Sequence, residues 1–169
     1  HVLSRRQRQM CIRDRTKKNN EALRKAFSMF STGITIVTAT DKDKNPIGMT
    51  VNSFSSVSLD PPLVLWSIGK KQPSYESFLD AKGYTVNILS NKQIKLCNHF
   101  ASSLENKFDN IDWKLSKNGF PIIADTLAWF DCVKWNDYAG GDHKILVGEV
   151  TSFDLNDMEP LTFWNGQIS

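Results

Sequence analysis

The stretch GMTVNSFSSVSLDPPLVLW, Gly48 to Trp66, decides how this chain is read. It sets Thr50, Asn52, Ser53, Ser55, Ser56 and Ser58 on one β-like run and stops it with Pro61 and Pro62. Alternation along a strand puts Thr50, Asn52, Phe54, Ser56 and Ser58 on one side and Val51, Ser53, Ser55 and Val57 on the other. A strand this rich in hydroxyl and amide groups faces either water or a polar ligand. The residues alone leave both readings open, because Ser and Thr are common on solvent faces.

Working outward, Ile47 to Ser58 reads as a single strand and LVLWSI (Leu63–Ile68) as the next, nearly all apolar and therefore expected at the centre of a sheet. Upstream, GITIVTAT (Gly33–Thr40) is β-branched, and DKDKNP after it is a turn cluster. Before that, Leu23, Ala26, Phe27 and Phe30 share a helical face over Glu21–Phe30. Downstream come a short helix at Ser74–Ala81, a strand at Tyr84–Leu89 and a helix from Asn91 to Phe100. A polar excursion follows, and then two long strands, Thr126–Trp135 and His143–Phe153, joined by the turn-rich NDYAGGD. Six strands with few, short helices predict a mainly β, barrel-like fold with helical covers rather than a doubly wound sheet. Neither GxGxxG nor GxxxxGK[ST] occurs, so the usual dinucleotide and phosphate-loop signatures are missing.

Composition narrows the function classes. With 40% hydrophobic and 23% charged residues over 169 positions, the chain suits one globular domain. Its three cysteines, Cys11, Cys97 and Cys132, are widely spaced and form no CxxC, which predicts neither a disulfide framework nor a metal site and favours a reducing cytoplasm. No run is long and apolar enough for a membrane span. The net charge of +3 is unevenly spread: residues 1–25 hold nine Lys and Arg against two acidic residues, and the other 144 carry 12 basic against 16 acidic groups. All six arginines lie at or before Arg24. Residues 1–18 therefore read as a non-native or disordered basic arm, with the domain over 19–169. An arm for nucleic acid or an anionic membrane is the rival reading, and the acidic body argues against it.

The order FSTGITIVTA, GMTVNSFSSVSLDPPLVLWSI, YTVNIL, FASSLENKF, LAWFDCVKW, GGDHKILVGEV and PLTFWNGQ resembles the flavin reductase family with the FMN-binding split-barrel fold, over about Glu21 to Gln167. The resemblance implies a homodimer of six-stranded, Greek-key-like split barrels that binds FMN or FAD. It further implies reduction of that flavin by NADH or NADPH, with the reduced flavin passed to a partner monooxygenase. It places Thr50, Val51, Asn52 and Ser53 along the flavin ring and ribityl chain, and Ser67, Ile68, Gly69, Lys70 and Ser74 near its phosphate. Gly141, Asp142 and His143 then border the nicotinamide pocket, with His143 as a positioning group for hydride transfer.

Each of these has a plainer reading. GKK is commonly a solvated loop, and a lone Asp-His pair is commonly a capped turn. His99 and Cys97, two apart on a helix, face away from each other and predict no shared metal ion. Trp129 and Trp135 are expected in the core or at a dimer interface, and Trp164 at the rim of the partner subunit's flavin. Two other functions remain open at this point: a flavin-bound electron-transfer protein of the flavoredoxin kind, and a non-catalytic flavin-binding module.

Overall fold

A computed structural model describes residues 17–169. The expected arm over 1–18 lies outside the described residues, apart from Lys17 and Lys18, which open the first helix. That helix, α1 (Lys17–Phe27), starts and ends earlier than the expected Glu21–Phe30, and Ser28–Phe30 form a tighter hydrogen-bonded turn, with Met29 N–H donating to Ala26 O at 3.2 Å and Phe30 N–H to Phe27 O at 3.1 Å. The small strand β1 (Thr32–Gly33) and then β2 (Thr35–Thr40) follow, with Ile34 breaking the expected single strand by donating its N–H to Leu161 O across 3.2 Å.

The decisive stretch is two strands. β3 (Pro46–Val51) and β4 (Ser55–Leu59) are separated by Asn52–Phe54, and β5 (Pro62–Gly69) comes next. After α2 (Tyr75–Asp80), β6 (Gly83–Ile88), a 3-10 turn at Asn91–Gln93 and α3 (Ile94–Ala101), the polar excursion folds as a hairpin of β7 (Trp113–Leu115) and β8 (Pro121–Ile123). The two long strands are β9 (Ala128–Gly140) and β10 (His143–Leu155), and β11 (Thr162–Trp164) pairs with β12 (Gln167–Ile168).

Seven strands form one antiparallel sheet in the order β3-β2-β6-β9-β10-β5-β4. Its two edges, β3 and β4, are consecutive in sequence, so Asn52–Phe54 carries the chain from one edge of the sheet to the other. The barrel is split at that point. Six expected strands become seven for this reason, and β5 lies next to an edge rather than at the centre. Its burial alternates, with Val64, Trp66 and Ile68 inside and Leu63, Leu65 and Ser67 half-buried, so it is not buried on both faces as its composition suggested.

Val37, Trp66, Ile68, Phe78, Tyr84, Val86 and Leu146 fill the barrel. Ile34, Ile36, Leu89, Cys97, Phe100, Ile123 and Leu161 form a second cluster beneath α3. Ile36 and Val37, neighbours on β2, point into different clusters, which is why β2 is buried on both faces. Phe100 anchors α3 over Gly48 of β3, where an added Cβ would stand 2.7 Å from the Phe100 ring.

Candidate active site

The strip where α3 crosses β3 leaves a cleft of about 680 Å³. Thr50 of β3 forms part of its floor, and its Oγ1 donates to Cys97 O across 2.7 Å, leaving the oxygen's lone pairs as acceptors. Ser74 lines the opposite wall. It is the residue before α2, yet its side chain makes no capping bond. Met49, Phe100 and Phe108 supply apolar surface between these polar groups. A smaller cavity of about 200 Å³ adjoins it through Thr50 and Ala101, and is bounded by Val51, Asn52, Cys97, Phe163 and Ile168.

Beyond α3, the segment Ser102–Lys107 closes the cleft. Ser102 Oγ donates to His99 O across 2.6 Å, and the His99 ring donates Nε2–H to Lys107 O across 2.8 Å, because a carbonyl can only accept. Lys107 Nζ donates to Phe100 O at 2.9 Å and reaches Gly48 O at 3.4 Å. Burial pushes the Lys107 ammonium below the ordinary lysine range. Ser102, Ser103 and Lys107 all line the cleft. They fall in the polar excursion, to which the residues alone assign no role, although SSLENK carries a signal: two hydroxyls and a lysine at close spacing directly after a helix.

A second group lies at the far ends of β5, β9 and β10. His143 is paired across the ladder with Gly69 on one side and Gly140 on the other. Its Nδ1 stands 2.8 Å from Asp142 Oδ1, and this bond to the His143 ring, more than any other cause, holds the Asp142 carboxyl below its usual range. An ionised carboxylate only accepts, so Nδ1 carries the hydrogen of this bond. Lys70 binds this turn twice: its N–H donates to Asp142 O at 3.0 Å and its Nζ to Gly141 O at 2.7 Å.

The expected site residues therefore fall into two sets. Thr50, Val51, Asn52 and Ser74 border the cavities, whereas Gly69, Lys70, Gly141, Asp142 and His143 gather at the sheet end and line neither. Ser53 and Ser67 extend the β4–β5 pairing toward the split: Ser53 Oγ donates to Ser67 O at 3.1 Å and accepts from Ser67 N–H at 3.0 Å. The Ile68 side chain is fully buried in the barrel, so only its backbone can face a ligand. The turn after β5 connects the two sets, for Gln72 lines the cleft, donates its N–H to Gly69 O at 3.0 Å and touches the space over Gly69 that His143 also borders.

Trp164 is half-exposed on β11. Trp135 is the extra residue of a bulge between Lys134 and Asn136, which turns it outward, so it is not core. Among the described residues no three His, Cys, Asp or Glu side chains stand close enough to hold a metal ion.

Residues 27–169 match the family model described as flavin reductase like domain, and the chain belongs to that family. It is 44% identical over 149 residues to the FMN reductase (NADH) SmoA of Agrobacterium fabrum, covering 88% of this chain and 84% of that protein. It is 41% identical to the reductase component of the flavin-dependent trigonelline monooxygenase of Acinetobacter baylyi, covering 85% of this chain and 46% of the relative. The NADH:FAD oxidoreductase SgcE6 of Streptomyces globisporus, solved with NAD and FAD fragments, superposes with a TM-score of 0.85 at 37% identity, covering 91% of this chain and 93% of that one. The chain spans about half the length of some curated relatives, 47% of one from Rhizobium meliloti.

Proposed function

We propose that the protein is an NADH-dependent flavin reductase that hands reduced flavin to a flavin-dependent monooxygenase. The observation that carries this is the cleft itself. Hydroxyls of Thr50, Ser74, Ser102 and Ser103 and the Lys107 ammonium surround apolar wall from Met49, Phe100 and Phe108. That donor set fits a flavin, which combines a flat apolar ring with a hydroxylated chain and a phosphate. Lys107 and the serines would hold the anionic end, since charge-assisted bonds to phosphate are strong. Thr50, Val51, Asn52 and the backbone of Ser53 would face the ring and chain where the barrel is split.

When bound, FMN or FAD supplies the hydride acceptor. The protein's part is to bind, orient and exclude water. His143, held by Asp142 and set on the adjoining sheet end, orients the nicotinamide. NADH as donor and a monooxygenase as recipient are supported by the relatives named above. A homodimer belongs to this reading too, because Phe27, Phe30, Trp135, Phe153 and Leu155 are all exposed on the single chain. So does a cytoplasmic setting, supported by the buried, unbridged thiols of Cys97 and Cys132. Anaerobic mixing of the protein with NADH and excess FMN or FAD should bleach the flavin absorbance at a rate that rises with enzyme. A flavin that stays bound and is not reduced by NADH would mark an electron carrier instead.

A further inference from the structure

His99 has no part in the mechanism above, yet its bonds bear on the cleft. It lies in the last turn of α3 and does not itself line the cleft. A histidine at a helix C-terminus ordinarily serves the last carbonyls of its own helix and their dipole. The His99 ring reaches elsewhere, to the carbonyl of Lys107, outside the helix and 2.8 Å away. Its own carbonyl, left open by the end of α3, accepts from the Ser102 N–H at 3.3 Å and from Ser102 Oγ at 2.6 Å. Among the described residues, both main-chain ties from the strap Ser102–Lys107 to α3 therefore end on one residue.

That strap is one wall of the cleft, which Ser102, Ser103, Leu104, Glu105 and Lys107 all line. Between its ends little holds it. Leu104 N–H reaches Ser102 Oγ at 3.4 Å, within the strap itself, and the Leu104 side chain is exposed. At the far end the Lys107 side chain folds back to Phe100 O and Gly48 O, a pose that requires the Lys107 backbone to stand where His99 holds it. The His99 ring is in turn set edge-on to Phe100, with centroids 5.6 Å apart at 77°, so it is anchored on the buried cluster beneath α3. We propose that His99 is a positioning residue for flavin binding: its imidazole clasps the strap Ser102–Lys107 over the cleft and so sets the Lys107 ammonium and the strap's hydroxyls against the anionic end of the ligand. His99 acts through the Lys107 backbone and touches no ligand. The neutral ring with its hydrogen on Nε2 and the imidazolium both donate there, so the clasp needs a donor and not a charge. This rests on the reductase reading above, in which Lys107 meets the anionic end of the flavin.

The test is a pair of variants in the full chain. His99→Phe keeps a flat ring for Phe100 and removes the donor, whereas His99→Gln returns an N–H at similar reach. Affinity for FMN and FAD by fluorescence quenching should fall about tenfold in His99→Phe, the scale of one lost hydrogen bond, and recover to near the wild type in His99→Gln. The KM for NADH and the hydride-transfer rate at saturating flavin should not change in either. Burial holds the Lys107 ammonium below the ordinary lysine range, so releasing the strap should move the alkaline weakening of flavin binding up toward that range in His99→Phe. A glutamate-specific protease should cut after Glu105 faster in His99→Phe than in the wild type, and excess FMN should slow the cut in the wild type, a readout that needs no turnover. Wild-type flavin affinity in His99→Phe, or a Gln variant no better than Phe, would overturn the proposal while leaving the reductase reading intact. So would a His99→Phe that fails to fold, or that melts lower with the alkaline step unmoved, since either reduces His99 to a support of α3. A wild type that neither binds flavin nor oxidises NADH would remove both readings together.

Discussion

The cleft and the sheet end are built by opposite means. In the cleft, polar groups are pinned by neighbouring backbone: Thr50 to Cys97 O, Ser102 to His99 O, and Lys107 to Phe100 O and Gly48 O. All three sit over a buried cluster that includes Cys97 and Phe100. The sheet end has no such backing. Asp142 is almost fully exposed, the His143 side chain is 49% exposed, and the turn is held mainly by Lys70. A rigid, pre-formed cleft suits a ligand that must be held in one pose, because little ordering is left to be done on binding. A lightly held turn suits a ligand that arrives and leaves in every cycle. The two regions should therefore fail in different ways when broken.

The largest effect is expected at His143. His143→Ala should slow hydride transfer about tenfold to a hundredfold, or roughly 1.4 to 2.7 kcal/mol in barrier, because a poorly placed nicotinamide loses its near-attack geometry. Flavin affinity should not change. Stopped-flow reduction at saturating flavin, beside fluorescence quenching, separates the two. A wild-type rate at every NADH concentration would remove His143 from the reaction.

The opposite pattern should follow Lys107→Met. This keeps the stem and removes the charge, so flavin affinity should fall about tenfold, or roughly 1.4 kcal/mol, with NADH KM little altered. Burial lowers the Lys107 pKa from the ordinary 10.5. The ammonium therefore loses its proton at a lower pH than a solvated lysine, and its help to an anionic ligand is present at neutral pH and lost as pH rises through the lowered value. Flavin titrations toward alkaline pH should weaken earlier in the wild type than any solvated lysine would allow. Lys107→Met should lack that step.

The difference between the regions also explains what could be read in advance. The strands were legible because β-branched runs such as Thr35–Thr40 and the apolar run Leu63–Ile68 are local signals, although the apolar run did not reveal that β5 buries only one face. The break at Asn52–Phe54 was not, since nothing in VNSFS marks a strand end. What ends β3 there is that its continuation must reach the far edge of the sheet, a demand of topology. The Gly-Asp-His turn was legible because turn residues announce it, although β9 runs on through Asn136–Gly140 and leaves only Gly141 and Asp142 as the turn. Lys107 escaped notice because its role depends on carbonyls of α3 and β3 that sequence distance hides.

A smaller effect is expected at Lys70. Lys70→Met removes the bond to Gly141 O but keeps the main-chain bond to Asp142 O, so the turn should loosen without unfolding. Such a bond contributes about 0.5–1.5 kcal/mol. Faster amide exchange over Gly140–Lys144 and a several-fold rise in NADH KM are expected, and Lys70→Arg should restore most of both. If flavin affinity fell instead, Lys70 would belong to the phosphate end of the cleft.

The smallest effect tests whether the sheet end is held from below as well. Asp137 of β9 accepts from Lys144 of β10, and lies 3.1 Å from Lys134, which in turn donates to Leu79 O at 2.8 Å. These ties connect the outer part of the hairpin to the segment that follows β5. Bonds from Lys144 first, and then from Lys134, hold the Asp137 carboxyl below its ordinary 3.8. With the folded value depressed, the contribution is complete above 3.8 and disappears as pH falls through the lowered value. Acidification should therefore leave the hairpin intact until below the usual carboxylate range, after which amide exchange over Asn136–Ile145 should accelerate while the protons of the β2 and β6 core stay protected. Asp137→Asn should show the faster hairpin exchange already at neutral pH and lose the acid step. An acid step that persists in Asp137→Asn would assign it to Asp142, the other depressed carboxylate on this hairpin, and would make the Gly-Asp-His turn the weakest point of the sheet end.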